Sequence, residues 1–459
     1  MTDFSSLLLP PALLQAVAAL GYTQMTPIQT ASLPPMLEGR DVIAQAMTGS
    51  GKTAAFGLGL LSKLDPDAIR AQALVLCPTR ELADQVSKEI RRLASGIPNI
   101  KLLTLCGGIP LRPQLASLQH PPHIVVGTPG RIQELLQQDA LDLSALRVLV
   151  LDEADRMLDM GFEPALVEIL KKMPKQRQTL LFSATYPDAI RAISRKFQRD
   201  PVAVTVQAVV GDDAIEQTFY EVEAARKLDA LVALLLAHRS DAGQTESALV
   251  FCNTRKDVAE VADALWKRGF GALALHGELE QRERDETLVR FANRSCSVLV
   301  ATDVAARGLD IKQLPLVISF ELPTDIDAHV HRIGRTGRAG HKGLALHLVA
   351  AREINRASML ETQHGNPLRW GKLALASGAP TPAQWITLAV DGGRQDKLRP
   401  GDILGALTGD AGLPGEAVGK IDIFATRAYV AVRREQADNA TNRLRAKGIK
   451  GRNFRVRPL

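Results

Sequence analysis

Cysteine is scarce and scattered: Cys77, Cys106, Cys252 and Cys296 are the only four in 459 residues. Most stand inside apolar runs, so they read as reduced core thiols, and neither a disulfide framework nor a zinc site is expected. No apolar run reaches the length needed to span a bilayer. The basic n-region of a signal peptide is missing too, because no Lys or Arg precedes Arg40 and Pro10 and Pro11 interrupt the early Leu/Ala stretch. A cytoplasmic protein with no membrane contact and no obligate protein partner is the expectation. Net charge is absent from most of the chain. Residues 386 to 459 hold 14 Lys+Arg against 8 Asp+Glu, which leaves 42 of each sign in everything before them and puts the whole excess of +6 in the tail. A polyanionic partner for the tail is implied.

What is present starts with a turn. Ala46-Met-Thr-Gly-Ser-Gly-Lys-Thr53 follows an apolar run and opens onto a helix-like stretch. In such a loop Thr48, Gly49, Ser50 and Gly51 let backbone N–H groups converge on phosphate, Lys52 reaches the β- and γ-phosphates, and Thr53 offers a hydroxyl to Mg²⁺. The helix N-terminus adds the positive end of its dipole. Binding of a nucleoside triphosphate, ATP with Mg²⁺, is expected.

At this length more than one domain is required. Apolar strand-like runs at 41–46, 73–77, 102–106, 124–127, 148–151 and 180–183 alternate with helical stretches, as in a parallel sheet covered on both faces. After a connection at 201–214 a second series follows at 218–222, 248–252, 272–275, 298–301, 316–320 and 344–349. Only the first series carries a phosphate loop. A linker-like stretch, Gly365 to Pro382, precedes a βαββαβ order of the RNA-recognition type. The expected bounds are 1–205 and 215–365 for the two α/β domains, 366–384 for the linker and 385–459 for the small α+β domain.

Asp152-Glu-Ala-Asp155 ends the run 148–151, where open α/β sheets bind ligands. Asp152 is placed to hold Mg²⁺ with Thr53, and Glu153 to orient or deprotonate the attacking water. With these motifs the chain resembles a DEAD-box RNA helicase, over nearly all of residues 1 to 350. That resemblance implies two RecA-like domains. It makes Phe4, Tyr22, Thr26 and Gln29 the adenine-recognition segment, a role that suits a side-chain amide able to donate and accept together. It gives Ser183-Ala-Thr185 the coupling of hydrolysis to strand separation. Pro78, Thr79, Arg80, Gly107, Gly108, Thr128 and Arg131 would grip the RNA backbone, as hydroxyls, backbone amides and Arg do without reading sequence. In the second domain it draws in Thr254, Gln281, Arg284 and Thr302, with Thr254 and Thr302 as RNA contacts and Asp310 as a ribose contact. In His331-Arg-Ile-Gly-Arg-Thr-Gly-Arg338, Arg335 and Arg338 are the expected arginine fingers. The catalytic set is therefore Lys52, Asp152, Glu153, Arg335 and Arg338.

Toward the C-terminus Arg443, Arg445, Lys447, Lys450, Arg452, Arg455 and Arg457 follow one another without an acidic residue. Lys447, Lys450, Arg452 and Arg455 are the expected RNA contacts of the tail. Thr387, Arg427 and Val432 stand where stacking aromatics would be expected, so a basic surface holding a folded RNA is favoured over base stacking on the sheet. Core and tail together resemble the bacterial DEAD-box protein A subfamily, through Arg399-Pro-Gly-Asp-Ile-Leu-Gly-Ala-Leu-Thr-Gly-Asp410 and Gly419-Lys-Ile421. The resemblance implies a ribosome-assembly factor directed to a 23S ribosomal RNA hairpin and to large-subunit assembly intermediates. A general RNA chaperone without that specificity, or a DNA helicase, are the other readings.

Overall fold

In the computed structural model the described residues are 3–46, 49–186, 188–206, 215–239, 246–306, 314–337, 343–364, 367–374, 378–409 and 412–459. The described chain forms two compact units, one built from residues 3–206 and the other from residues 215–459. Three sheets account for the strands.

The first unit holds a parallel sheet of seven strands: β1 Val42–Gln45, β2 Ala73–Leu76, β3 Leu102–Leu105, β4 Ile124–Gly127, β5 Val148–Asp152, β6 Gln178–Ser183 and β7 Val202–Thr205, in the order β3-β4-β2-β5-β6-β1-β7. Its central strands are Val- and Leu-rich and wholly buried, because helices cover both faces and no side chain on them meets water. One face packs Val75, Val126, Val150 and Phe182 and the other Leu74, Val125, Leu149 and Leu181. β7 falls inside the stretch read from sequence as connection. It is an edge strand with a single buried residue, so it shows no apolar run.

The second unit contains β8 Ile215–Glu221, β9 Ala248–Phe251, β10 Ala272–Leu275, β11 Val298–Ala301, β12 Leu316–Ser319 and β13 Gly343–Val349, parallel in the order β10-β11-β9-β12-β13-β8. Residues 369–371 run beside its edge: Phe219 N donates to Arg369 O at 2.9 Å and Gly371 N to Phe219 O at 2.8 Å. Glycine is needed there, since a Cβ at 371 would sit 2.7 Å from both Thr218 Cγ2 and Tyr220 Cε1.

The same unit carries an antiparallel sheet, β14 Trp385–Val390, β15 Val418–Ile423, β16 Ala428–Arg433 and β17 Val456–Pro458, in the order β15-β16-β14-β17. Leu388, Val390, Val430 and Val432 point from it into a core closed by helices Pro400–Thr408 and Ala437–Lys447. This corrects one sequence expectation: Val432 is a fully buried core residue, and the position opposite Ala389 on the other face is filled by Tyr429. That face is covered by the helix Gln281–Ala292 of the preceding domain. Val289 packs on Ala389 and Tyr429, while Asn293 Nδ2 donates to Thr387 Oγ1 at 2.8 Å. Glu286 Oε1 is the charged centre of the contact, approached by Arg457 Nη2 at 3.1 Å, Tyr429 Oη at 3.3 Å and Arg427 Nη1 at 3.5 Å.

Among the described residues no helix is long and apolar enough to cross a membrane.

Candidate nucleotide and RNA sites

Parallel register brings the chemistry of the first unit to one edge. Gln45 pairs with Ser183 and Asp152 with Phe182, so the phosphate loop after β1, the acidic turn after β5 and Ser183-Ala-Thr185 after β6 leave the sheet side by side. Gly51 caps the helix Lys52–Leu61 at φ +96°, a conformation open to glycine at no steric cost. A Cβ there would also lie 2.7 Å from Gln29 Nε2. Gln29 braces this turn, donating from Nε2 to Gly51 O at 3.1 Å and accepting from Thr26 N at 2.9 Å. Thr26 is the N-cap of the helix Pro27–Leu37, and Gln29 supplies one half of a capping box by accepting from its backbone N–H. Phe4 is buried in the core and Tyr22 Oη donates to Glu89 at 2.5 Å, which pins the segment before that helix.

Lys52 is buried and Nζ donates to Ala46 O at 2.9 Å, the position from which a phosphate would draw it. Burial pushes the Asp152 carboxyl up to about 7, with the positive charge of Lys52 opposing that rise and the neighbouring Glu153 adding to it. Its Oδ1 is buried without a hydrogen-bond partner, an orphaned acceptor that suits a cation. Glu153 occupies the left-handed region at φ +53° as N-cap of the helix Ala154–Asp159. Its Oε2 meets Arg156 Nη1 at 2.5 Å, both side chains being buried. Asp155 Oδ2 accepts from Ala184 N at 3.2 Å, Thr185 N at 3.0 Å and Thr185 Oγ1 at 3.0 Å, so the two motifs are joined directly.

The expected RNA-gripping residues of this unit also converge. Arg80 Nη1 donates to Gly108 O at 3.1 Å, Gly107 N to Thr128 Oγ1 at 3.2 Å and Arg131 Nη2 to Ile109 O at 3.0 Å. Thr79 caps the helix Arg80–Leu93 behind the buried Pro78. Arg131 Nη1 is buried with no hydrogen-bond partner among the described residues.

In the second unit Thr254 caps the helix Arg255–Lys267, and Thr302 Oγ1 accepts from Ala305 N at 3.3 Å. Arg284 Nη2 reaches Ala305 O at 2.9 Å, tying its helix to the Thr302 turn. Arg335 is buried just after the helix Ile326–Ile333. Thr48, Asp310 and Arg338 lie outside the described residues.

Residues that the sequence reading passed over brace these motifs. Arg332 binds Asp303 through Nε and Nη2, each at 2.7 Å, reaches Asn253 Oδ1 at 2.8 Å and Glu321 O at 2.5 Å, and covers the Phe251 ring. The regular arginine spacing of 332, 335 and 338 hid its different use. Lys227 and Glu353 form a second buried pair, with Lys227 Nζ also donating to Phe320 O at 2.7 Å and Leu348 O at 3.0 Å.

The basic tail divides by job. Arg443 donates to Ala406 O and Arg445 to Val456 O, which close the small domain, while Arg457 binds Glu286. Lys447, Lys450, Arg452 and Arg455 are exposed. Two of them are lightly held, Lys450 by Asp402 at 3.4 Å and Arg452 by Asp396 O at 3.2 Å.

Known proteins resemble this chain. Residues 26–193 match the DEAD/DEAH box helicase family, 226–340 the helicase conserved C-terminal domain and 387–458 the DbpA RNA binding domain. The chain is 55% identical over 461 aligned positions to the ATP-dependent RNA helicase DbpA of Escherichia coli K12, with 100% of each covered. It is 44% identical to the DEAD-box ATP-dependent RNA helicase CshA of Bacillus cereus ATCC 10987, across 79% of this chain and 68% of that protein. Among solved structures, Saccharomyces cerevisiae Dbp5 bound to RNA and ADP BeF3 is similar with a TM-score of 0.73 and 31% identity, covering 81% of this chain and 96% of that one.

Proposed function

The chain belongs to the DEAD-box ATP-dependent RNA helicases, and we propose that its C-terminal domain directs this activity to 23S ribosomal RNA during cytoplasmic assembly of the large ribosomal subunit. The observation that carries the reading is the DbpA-type RNA-binding domain with Lys447, Lys450, Arg452 and Arg455 exposed on it. Its sheet face is taken up by the helix Gln281–Ala292, which favours a basic surface as the RNA contact.

The domain bounds proposed are 1–205, 215–365 and 385–459, with 366–384 as linker. ATP is held by Thr48 to Thr53, with adenine toward Phe4, Tyr22, Thr26 and Gln29 and ribose toward Asp310. Asp152 and Thr53 would hold Mg²⁺, a role that the orphaned Asp152 Oδ1 fits, and the ion would neutralise phosphate charge. Glu153 orients the attacking water and accepts its proton, and Lys52, Arg335 and Arg338 stabilise charge on the transferring phosphoryl group. Pro78, Thr79, Arg80, Gly107, Gly108, Thr128, Arg131, Thr254 and Thr302 hold the RNA backbone. ATP and RNA bind cooperatively, so each raises the affinity for the other.

The test is ATP hydrolysis without RNA, with 23S ribosomal RNA and with unrelated RNA of equal length, for the full chain and for a form ending near Ser377. Best stimulation by ribosomal RNA that disappears on truncation is expected. Equal stimulation by every RNA would make the protein a general RNA remodeller instead.

A further inference from the structure

We infer that Arg156 is a positioning residue for ATP hydrolysis, fixing the carboxylate of Glu153 so that one oxygen is held by the protein and the other is presented to water. The inference rests on the reading of Glu153 as the group that handles the attacking water.

Two constraints meet on that side chain. The backbone of Glu153 is held in the left-handed region, where its carbonyl accepts from Arg156 N at 3.0 Å and from Met157 N at 3.2 Å and so starts the next helix. This sets the direction of the Cα–Cβ bond. One turn on, Arg156 returns its guanidinium to Glu153 Oε2 at 2.5 Å, which sets the remaining rotations. Both residues are almost wholly enclosed, with side-chain exposures of 2% for Arg156 and 5% for Glu153. A carboxylate this deep has lost most of its hydration, and a cation in direct contact compensates for it. No other side chain is bonded to the Glu153 carboxylate among the described residues, and the cap makes no use of it. Oε2 is therefore anchored and Oε1 is the atom left for the reaction.

The step that needs this precision is the displacement itself. The water oxygen forms a bond to the γ-phosphorus as the bond to the ADP oxygen breaks, and a water proton passes to Glu153. A carboxylate free to rotate spends most of its time with neither oxygen on the water, and loss of positioning lowers the rate of the bound complex without weakening ATP binding. Arg156 touches neither ATP nor water in this scheme and acts on the reaction through Glu153.

The experiment is steady-state ATP hydrolysis by the full chain at saturating RNA, with Arg156→Met, Arg156→Lys, Glu153→Gln and the double variant Glu153→Gln/Arg156→Met, each checked by thermal melting. Arg156→Met is expected to lower kcat at least tenfold while KM for ATP moves less than twofold. Arg156→Lys, which keeps the charge on a shorter donor set, recovers a large part of the loss. In the Glu153→Gln background Arg156→Met produces no further loss, because the carboxylate it positions is gone. Wild-type kcat in Arg156→Met, or losses that multiply in the double variant, overturn the inference. Should Arg156→Met unfold, the stable Arg156→Lys form decides, its kcat reduced at constant KM in the wild-type background and equal to that of Glu153→Gln in the other. Normal turnover by Glu153→Gln alone removes the reading of Glu153; normal turnover by Arg156→Met beside an inactive Glu153→Gln removes only the role of Arg156.

Discussion

Arg457, in the last strand of the small domain, lies 3.1 Å from Glu286 on a helix of the preceding domain, and the same Glu286 oxygen also receives Tyr429 and Arg427. One carboxylate thus collects three donors from the sheet face and a fourth, Arg282, from its own helix at 3.2 Å. Glu286→Lys places a cation against that set. It is expected to weaken docking of the small domain by about 1–3 kcal/mol, as expected for a partly enclosed charge cluster turned repulsive. Limited proteolysis between residues 371 and 385 should become faster, with the melting of the first unit unchanged.

A second prediction concerns acid. His347 is fully buried, stacked 4.4 Å from Phe219 and tilted against His329 at 4.9 Å, and neither ring nitrogen has a hydrogen-bond partner among the described residues. Burial, with His329 and Arg332 nearby, holds its pKa well below the ordinary 6.5. The folded state therefore keeps the ring neutral while the unfolded chain takes up a proton, so this residue's contribution is complete above 6.5 and is lost progressively as pH falls below it. His347→Phe should flatten the fall in stability between pH 6.5 and 5, measured by urea unfolding at several pH values. An unchanged slope would assign the acid sensitivity to other groups.

Reversing charge at Arg452 and Arg455 should weaken RNA binding and make its dependence on salt shallower, by up to about two units of log–log slope if both contact phosphate. The RNA-free ATPase rate should not move. Binding isotherms at three or more salt concentrations supply the slope, and an unaltered slope would locate the anchor elsewhere on the small domain.

The parallel sheets were legible because strands covered on both sides leave uninterrupted Val and Leu runs, such as Ala248–Phe251 and Val298–Ala301. β7 was not, since one buried residue in four makes no run. In the small domain the strands were legible but one face was not: assigning Val432 to the sheet surface set it on the wrong side of a pleat whose period is two. The residues of the phosphate loop and the acidic turn could be found because adjacent residues form them. Glu286, Arg332 and Lys227 act on partners far along the chain, and nothing local marks them off from ordinary helix charges.

The strand-like pairing of Arg369 and Gly371 with Phe219 shortens the leash on the RNA-binding domain. Only about a dozen residues separate Gly371 from the start of β14, and Ala379 O among them accepts from Arg239 Nη2 at 3.0 Å. A domain on so short a tether meets its docking helix at an effective concentration in the millimolar range or above. Modest contacts then suffice to keep it seated.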